Sequence, residues 1–222
     1  MLGLLAAHVG RPLSRDQVIE TLLPDADFTS GLNNLNQTVF QLRRELDPAH
    51  REGESTPYVV STAESVYLHP ALVQTDLAEI RRQAARLDDR RVASRRNAAD
   101  AILDLLRGEF LMDLRYEDWT APLQVGVHAE LRELLRPLLH ADGIDITHET
   151  GIRAACALLT IDEFDENAHF ALIRHLASSG KRQAARTAAE RYVGRLRSEF
   201  DEEPGSTLAE LVSSLGRAST GA

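Results

Sequence analysis

The sequence is poor in the residues on which several classes of protein depend. Cys156 is the only cysteine in 222 residues, so no disulfide can form within the chain, and this fits a reducing cytoplasm. No apolar run approaches the roughly 20 residues that a membrane-spanning helix needs. The apolar start, Leu2 to Val9, is short and lacks a basic leader. These absences predict a cytoplasmic protein without a membrane segment.

Catalytic and metal-binding patterns are also missing. The eight histidines are scattered along the chain, and no pair has the sequence spacing of metal ligands. The sequence has no Gly-x-Ser-x-Gly, no glycine-rich phosphate loop and no His-Glu-x-x-His. Cys156 stands in an apolar helical run, which predicts a buried, unreactive thiol. We therefore predict that the chain is not an enzyme and that it binds no cofactor and no metal.

The basic excess that is usual in a nucleic-acid-binding protein is absent as well. The formal net charge of the chain is −9. Residues 1–70 contain five arginines and nine acidic residues, so their net charge is −4. Any DNA binding must therefore come from a local group of side chains and not from the overall field.

The first 70 residues do have a clear order of elements. Apolar periodicity and turn residues predict a helix, a second helix, a loop, an amphipathic helix and a hairpin, over residues 2–9, 14–23, 24–31, 32–46 and 58–68. Ser14 and Gln17 are spaced for a capping box at the start of the second helix. This order is typical of a winged-helix domain, which we place at residues 1–70.

The rest of the chain, residues 71–222, is helical in pattern. Candidate helices of ten to twenty residues are separated by short breaks, over about 75–87, 92–107, 118–140, 146–160, 165–179, 181–199 and 206–217. Such a series predicts an all-α array of stacked helices that is similar to helical repeats. We expect Trp119, the only tryptophan, to anchor a core. The predicted fold class is therefore mainly α.

The amphipathic helix over 32–46 contains the candidate site. Its apolar stripe predicts one buried side, formed by Leu32, Leu35, Val39, Leu42 and Leu46. The other side carries Asn33, Gln37, Gln41 and Arg44, with Asn34, Phe40 and Arg43 on its flanks. Amide side chains pair with adenine edges, and arginine pairs with guanine edges or phosphates. An ordinary solvated helix face has a similar composition, but the winged-helix order favours DNA reading.

Nearly the whole chain resembles the Streptomyces antibiotic regulatory protein family. The resemblance to the family's OmpR-type winged helix rests on "GRPLSRDQVIETLLPD", "NLNQTVFQLRRELDP" and "YVVSTAESVYLHP". The resemblance to its bacterial transcriptional activator domain, a tetratricopeptide-like array, rests on "RGEFLMDLRYEDW" and "SSGKRQAARTAAERYVGRLRSEFDEEPGSTLAEL". No single motif is very specific, but the ordered set is.

The resemblance implies a transcriptional activator that binds double-stranded DNA in sequence-specific fashion and acts with RNA polymerase. It implies that the helical domain takes part in homodimer contacts and that the loop at 24–31 contacts the polymerase. The implied DNA contacts are Ser14, Arg15, Asn33, Asn34, Gln37, Thr38, Gln41, Arg43, Arg44, Ser61, Thr62 and Ser65.

The sequence departs from the family pattern in three ways. It starts at the first helix, without the leading strands of an OmpR-type fold. Gln41 stands where the family usually has arginine, and Glu64 lies in a wing where the family usually has arginine and glycine. Each lost cation weakens contact with phosphates. An alternative therefore stays open: a protein-interaction module with a vestigial winged helix and a helical-repeat docking surface.

Overall fold

Helices predominate in the computed structural model of the chain, which describes residues 1–48, 56–140 and 146–217. This confirms the predicted mainly α fold class. The chain divides into a first unit, Met1–Arg81 with Arg115–Thr120, and a second unit, Arg82–Leu114 with Ala121–Ala222. The division of the sequence into domains at residue 70 stays a prediction.

The first unit has the order of elements that the sequence predicts, with one added strand. The elements are α1 (Leu2–Ala7), β1 (Leu13–Ser14), α2 (Arg15–Leu22), α3 (Phe28–Leu46), β2 (Val59–Ser61), β3 (Ser65–Leu68) and most of α4 (Asp76–Ala84).

The three strands form a small antiparallel sheet in the order β1-β3-β2. Val59 of β2 pairs with Leu68 of β3, as the predicted hairpin requires. The short strand β1, which the sequence analysis missed, pairs Leu13 with Val66 on the other edge of β3. A strand of two residues is too short to show a periodicity. Its pairing partner also lies far away in the sequence, so no local pattern indicates the strand.

A capping box starts α2, as predicted. The Ser14 hydroxyl accepts a hydrogen bond from the Gln17 backbone N–H at 3.1 Å, and the Gln17 side-chain oxygen accepts one from the Ser14 N–H at 2.9 Å. Two of the N–H groups that have no partner within the helix are satisfied in this way.

The helix α3 begins at Phe28, four residues before the predicted start. The Asp27 carboxylate accepts a hydrogen bond from the Ser30 backbone N–H at 3.0 Å and caps the helix. Hydrogen bonds with Ser30 also lower the pKa of Asp27. The predicted loop over 24–31 is therefore wrong in its second half, because the polar residues there are the cap and first turn of a helix.

The buried side of α3 packs against α2 and β2. Leu35 and Val39 are buried there, as predicted. Gly31 extends this contact, because a Cβ at that position would lie only 2.6 Å from Cγ2 of Ile19 on α2. The predicted stripe is too long, since Leu42 is half-buried and Leu46 is 38% exposed.

The second unit consists of successive helices and a little 3₁₀ structure. Its elements are α5 (Val92–Leu105), a 3₁₀ turn (Met112–Leu114), all but the first residue of α6 (Thr120–Leu135), a second 3₁₀ turn (Arg136–Leu139), α7 (His148–Ile161), α8 (Glu166–Ser178), α9 (Arg182–Phe200) and α10 (Ser206–Arg217). Helix α7 packs on α5 and α8, and α9 packs on α8 and α10. From α7 to α10 each helix packs on the next, which is typical of the predicted stacked array.

Two side chains differ from their sequence predictions. Cys156 is exposed, because the buried side of α7 follows Gly151, Ala154, Ala155 and Leu158, and Cys156 lies off that side. Neighbouring atoms still raise the pKa of its thiol by desolvation. Trp119 is half-buried in the first unit, so it is not the fully buried anchor that we expected.

A pair of histidines joins three elements of the second unit. The ring of His175 on α8 is 2% exposed, and its Nε2 lies 3.0 Å from the carbonyl oxygen of Leu139. A carbonyl can only accept, so Nε2 carries the proton and donates. The Nδ1 of His175 then accepts from Nδ1–H of His148, which lies 3.1 Å away at the start of α7. Protonation of His175 would turn its Nδ1 from an acceptor into a donor, and His148 would then have to present an unprotonated Nδ1.

Gly151 of α7 lies against the same His175 ring. A Cβ at Gly151 would overlap the ring, which is held by hydrogen bonds at both nitrogens. We expect Gly151→Ala to lower the free energy of unfolding by roughly 1–3 kcal/mol, as overpacking usually does. Thermal and urea unfolding of the chain measure the effect.

The matched control is Gly194→Ala on α9, where a Cβ meets nothing within 4 Å. Alanine is the better helix former, so this variant should gain about 0.5–1 kcal/mol. Equal effects of the two substitutions would contradict the close packing of α7 on α8.

The histidine pair also predicts that the second unit loses stability in mild acid. Burial lowers the pKa of His175 most. The hydrogen bond to the Leu139 carbonyl raises this pKa, and the nearby charges of Arg174, His148 and His140 lower it further. The unfolded chain therefore binds a proton more readily than the folded chain. The stability that neutral His175 provides is complete above its unfolded pKa of about 6.5 and is lost as the pH falls below that value.

Unfolding between pH 7.5 and 5.5 should show this loss, and His175→Phe should make the dependence on pH shallower. Some dependence should remain, because burial also lowers the pKa of His128 and His169. Gly194→Ala, which changes no titratable group, is the control and should leave the slope unchanged. If the stability of the wild type does not vary over this pH range, the pKa of His175 is not lowered in the folded chain.

Candidate nucleic-acid interface

The face of α3 opposite its buried side carries a strip of four exposed side chains. Asn33, Gln37, Phe40 and Arg44 follow one another at steps of four, three and four residues, so they line one side of the helix. No hydrogen bond within the described ranges involves the side chains of Asn33 or Gln37. The Arg44 guanidinium lies 5.9 Å from the centre of the Phe40 ring. The strip thus offers two free amides, one cation and one apolar ring.

At one flank of this strip, Arg15 joins the helices to the hairpin of β2 and β3, which corresponds to the predicted wing. Its guanidinium donates to the Ser61 hydroxyl at 3.0 Å and to the Thr62 carbonyl at 3.1 Å. It also donates to the Asn36 side-chain oxygen on α3. The backbone N–H of Arg15 donates to the Glu64 carbonyl at 3.0 Å. These hydrogen bonds hold the wing in place. Because all the acceptors are uncharged, none of them neutralises the positive charge of Arg15.

The wing tip is the three-residue connection between β2 and β3. The Thr62 hydroxyl accepts hydrogen bonds from the backbone N–H groups of Glu64 at 3.2 Å and Ser65 at 3.0 Å. The Thr62 N–H donates to the Ser65 carbonyl at 2.9 Å. The exposed Glu64 side chain therefore projects from a tip whose backbone is well fixed.

Several predicted contact residues already have partners inside the protein. Arg43 Nε donates to the Val59 carbonyl at 2.9 Å and braces α3 against β2. The Thr38 hydroxyl donates to the Asn34 carbonyl at 2.8 Å, and the Ser14 hydroxyl caps α2. These bonds use one polar group of each side chain, and contact of these residues with DNA stays a prediction.

The other flank of the strip borders a cavity of about 400 Å³ within the first unit. Its apolar lining comes mainly from α2, and Asn34, Gln37, Thr38 and Gln41 line it from α3. Glu117 and Trp119 complete the lining. The sequence did not predict that these two residues lie beside α3, because no local pattern indicates contact between segments so distant in sequence. Gln37 and Gln41 therefore share their surroundings with the Glu117 carboxylate, whereas Asn33 and Arg44 do not line this cavity.

The chemistry of this surface is that of binding. Amides supply both donors and acceptors, arginine supplies a charge, and phenylalanine supplies an apolar contact. Across the described ranges, no group of three or more His, Cys, Asp or Glu side chains could hold a metal ion. None of the helices in those ranges is long and apolar enough to cross a membrane.

Comparisons with known proteins assign the chain to a family. A family model described as the bacterial transcriptional activator domain matches residues 75–215. Among solved structures, Mycobacterium tuberculosis EmbR in complex with a low-affinity phosphopeptide aligns with a TM-score of 0.59 at 19% sequence identity. The alignment covers 98% of this chain and 58% of the EmbR chain, so this chain corresponds to less than two thirds of EmbR. At this identity the likeness shows a shared fold. No curated protein matches the sequence.

The family match covers more than half of the chain, and the similarity to EmbR extends over the residues before it as well. The resemblance to the Streptomyces antibiotic regulatory proteins that the sequence predicts is therefore confirmed, and the chain belongs to the bacterial transcriptional activator domain family.

Proposed function

We propose that this member of a transcriptional activator family is a sequence-specific DNA-binding regulator of the cytoplasm. Helix α3 enters the major groove, and its exposed strip contacts base edges. The observation that carries the proposal is the free side chains of Asn33 and Gln37 beside Arg44, on a helix whose opposite side is buried. Amides that have no partner in the protein are available to pair with adenine.

The elements around α3 support the same function. The start of α2, at Ser14 and Arg15, and the wing at Ser61, Thr62 and Ser65 would contact the DNA backbone. Arg15 is the main cation of this part, and its neutral acceptors leave its charge available to a phosphate. The flanking residues Asn34, Thr38, Gln41 and Arg43 would add contacts at the edges of the groove.

The proposal extends to partners of the complex. The activator domain assignment supports action with RNA polymerase. The resemblance to the family implies homodimer contacts through the helical domain. The connection between α2 and α3, now limited to the residues before Phe28, is the proposed polymerase contact. A protein-interaction module without DNA affinity is the competing account, and the experiments below separate the two.

Substitutions in the strip should weaken DNA binding in two distinguishable ways. Gln37→Ala can remove only hydrogen bonds, so we expect a loss of about 1–3 kcal/mol at one base position and relaxed preference there. If Arg44 contacts a base, Arg44→Ala should behave likewise; if it contacts a phosphate, all sequences should weaken and the salt slope should fall by about one unit. Titrations on a selected site and on random duplexes, at two salt concentrations, measure both effects.

The control for lost charge is Arg182→Ala, at an exposed arginine of α9. It removes the same charge from the second unit and should leave binding at the selected site unchanged. Failure of the wild type to prefer any duplex in a selection from random sequences at low salt would favour the interaction module.

The wing acid gives a test in the opposite direction. Glu64→Arg replaces an exposed anion with a cation, at a position that the proposal puts beside the DNA backbone. We expect tighter binding to all duplexes and a steeper salt dependence, with little change in sequence preference. The same titrations measure the change. An unchanged affinity would place the wing away from the DNA.

Arg15 should act on the wing as well as on DNA. Arg15→Ala removes three hydrogen bonds, so we expect faster hydrogen exchange at the Thr62 and Ser65 amides and roughly 1–3 kcal/mol less stability of the first unit. Arg11→Ala, at an exposed arginine nearby, is the matched control and should change neither. Unaltered exchange in Arg15→Ala would mean that the wing keeps its structure without this residue.

A further inference from the structure

Phe40 occupies a position in α3 that folding does not explain. Its side chain is 62% exposed, although leaving a ring of this size in water forfeits much of the stability that its burial would give. It lies on the strip opposite the buried Leu35 and Val39. Because the exposed ring stands on the same side of α3 as Asn33, Gln37 and Arg44, it takes part in any contact that this strip makes.

The neighbours of Phe40 limit what that contact can be. Gln37 precedes it by three residues and Arg44 follows it by four, so an amide and a guanidinium bracket the ring on one line. The guanidinium of Arg44 lies 5.9 Å from the ring centre, within the range of a cation–π interaction. Phe40 is the one apolar side chain of this polar strip. The strip therefore suits a partner with a small apolar group in polar surroundings better than a partner with an extended apolar surface.

Double-stranded DNA offers one such target in the major groove. The C5 methyl group of thymine is the apolar feature of a groove otherwise lined by hydrogen-bond donors and acceptors. The amides beside Phe40 are suited to adenine, the partner base of thymine. A helix that places Gln37 on an adenine edge therefore holds Phe40, about one helical turn further on, close to the same base pair or to a neighbouring one.

We propose that Phe40 is a specificity residue that reads a thymine methyl group in the major groove. The inference rests on the proposed function, since it requires that α3 bind DNA. It goes further in assigning one base position to an apolar contact, which none of the predicted polar contacts can make.

The test replaces each thymine of the selected site in turn with deoxyuridine, which lacks only the methyl group. Wild-type protein should bind one substituted duplex more weakly, by roughly fourfold, as expected for loss of one buried methyl group. Phe40→Ala should bind the thymine duplex more weakly and should no longer distinguish thymine from uracil at that position. Phe40→Leu, which keeps an apolar side chain, should restore part of the discrimination.

Phe28→Ala is the matched control, because Phe28 is an equally exposed phenylalanine (66%) in the first turn of the same helix. It should keep the full thymine-to-uracil ratio. Thermal unfolding of each variant shows whether a change in binding comes from a change in folding. At the critical position, a cytosine-to-5-methylcytosine exchange tests whether the methyl group alone is recognised, and the wild type should bind the methylated base more tightly.

The possible failures are distinguishable. A wild-type protein that selects a site but binds every uracil duplex as well as the thymine duplex would overturn the role of Phe40 and leave the proposed function standing. An unchanged thymine-to-uracil ratio in Phe40→Ala would do the same. Absence of any sequence-selective binding by the wild type would overturn the proposed function and the inference together.

Discussion

The packing of α3 on α2 is the contact on which the candidate interface depends. Gly31 allows the two helices to approach until a Cβ would be 2.6 Å from Ile19, and Leu35 and Val39 continue the contact along α3. A helix that is buried on one side presents its other side to solvent at fixed angular positions. The spacing along the helix aligns Asn33, Gln37, Phe40 and Arg44, and this packing turns the line that they form toward solvent.

The wing is positioned by a different kind of interaction. The guanidinium of Arg15 reaches Asn36 on α3 and both Ser61 and Thr62 at the wing, so one side chain ties together three segments. Its fixed fork of donors suits this task, whereas a lysine offers a single nitrogen. Because its acceptors are neutral, none of them cancels the positive charge that this side chain brings beside the strip.

What could be predicted from the sequence was local. The capping box at Ser14, the buried Leu35 and Val39, and the hairpin follow from spacings of a few residues. The start of α3 was misplaced because the polar residues after Asp27 are equally typical of a loop and of a capped first turn. The use of Arg15 within the fold, and the place of Glu117 and Trp119 beside Gln41, depend on contacts between distant segments. Periodicity holds no information about such contacts, and so it could not reveal them.

The acidity of the chain has a consequence for how a protein of the proposed function would discriminate. With a net charge of −9, and with Arg44 as the one cation of the strip, few phosphates can be neutralised and few counterions released. Affinity for random DNA, which depends on that release, should then be low. Base contacts by Asn33, Gln37 and Phe40 lose little with salt, because they involve hydrogen bonds and apolar contact. A surface of this composition therefore sacrifices overall affinity but keeps most of the difference between right and wrong sequences, and that difference is the quantity that matters when non-specific sites are in vast excess.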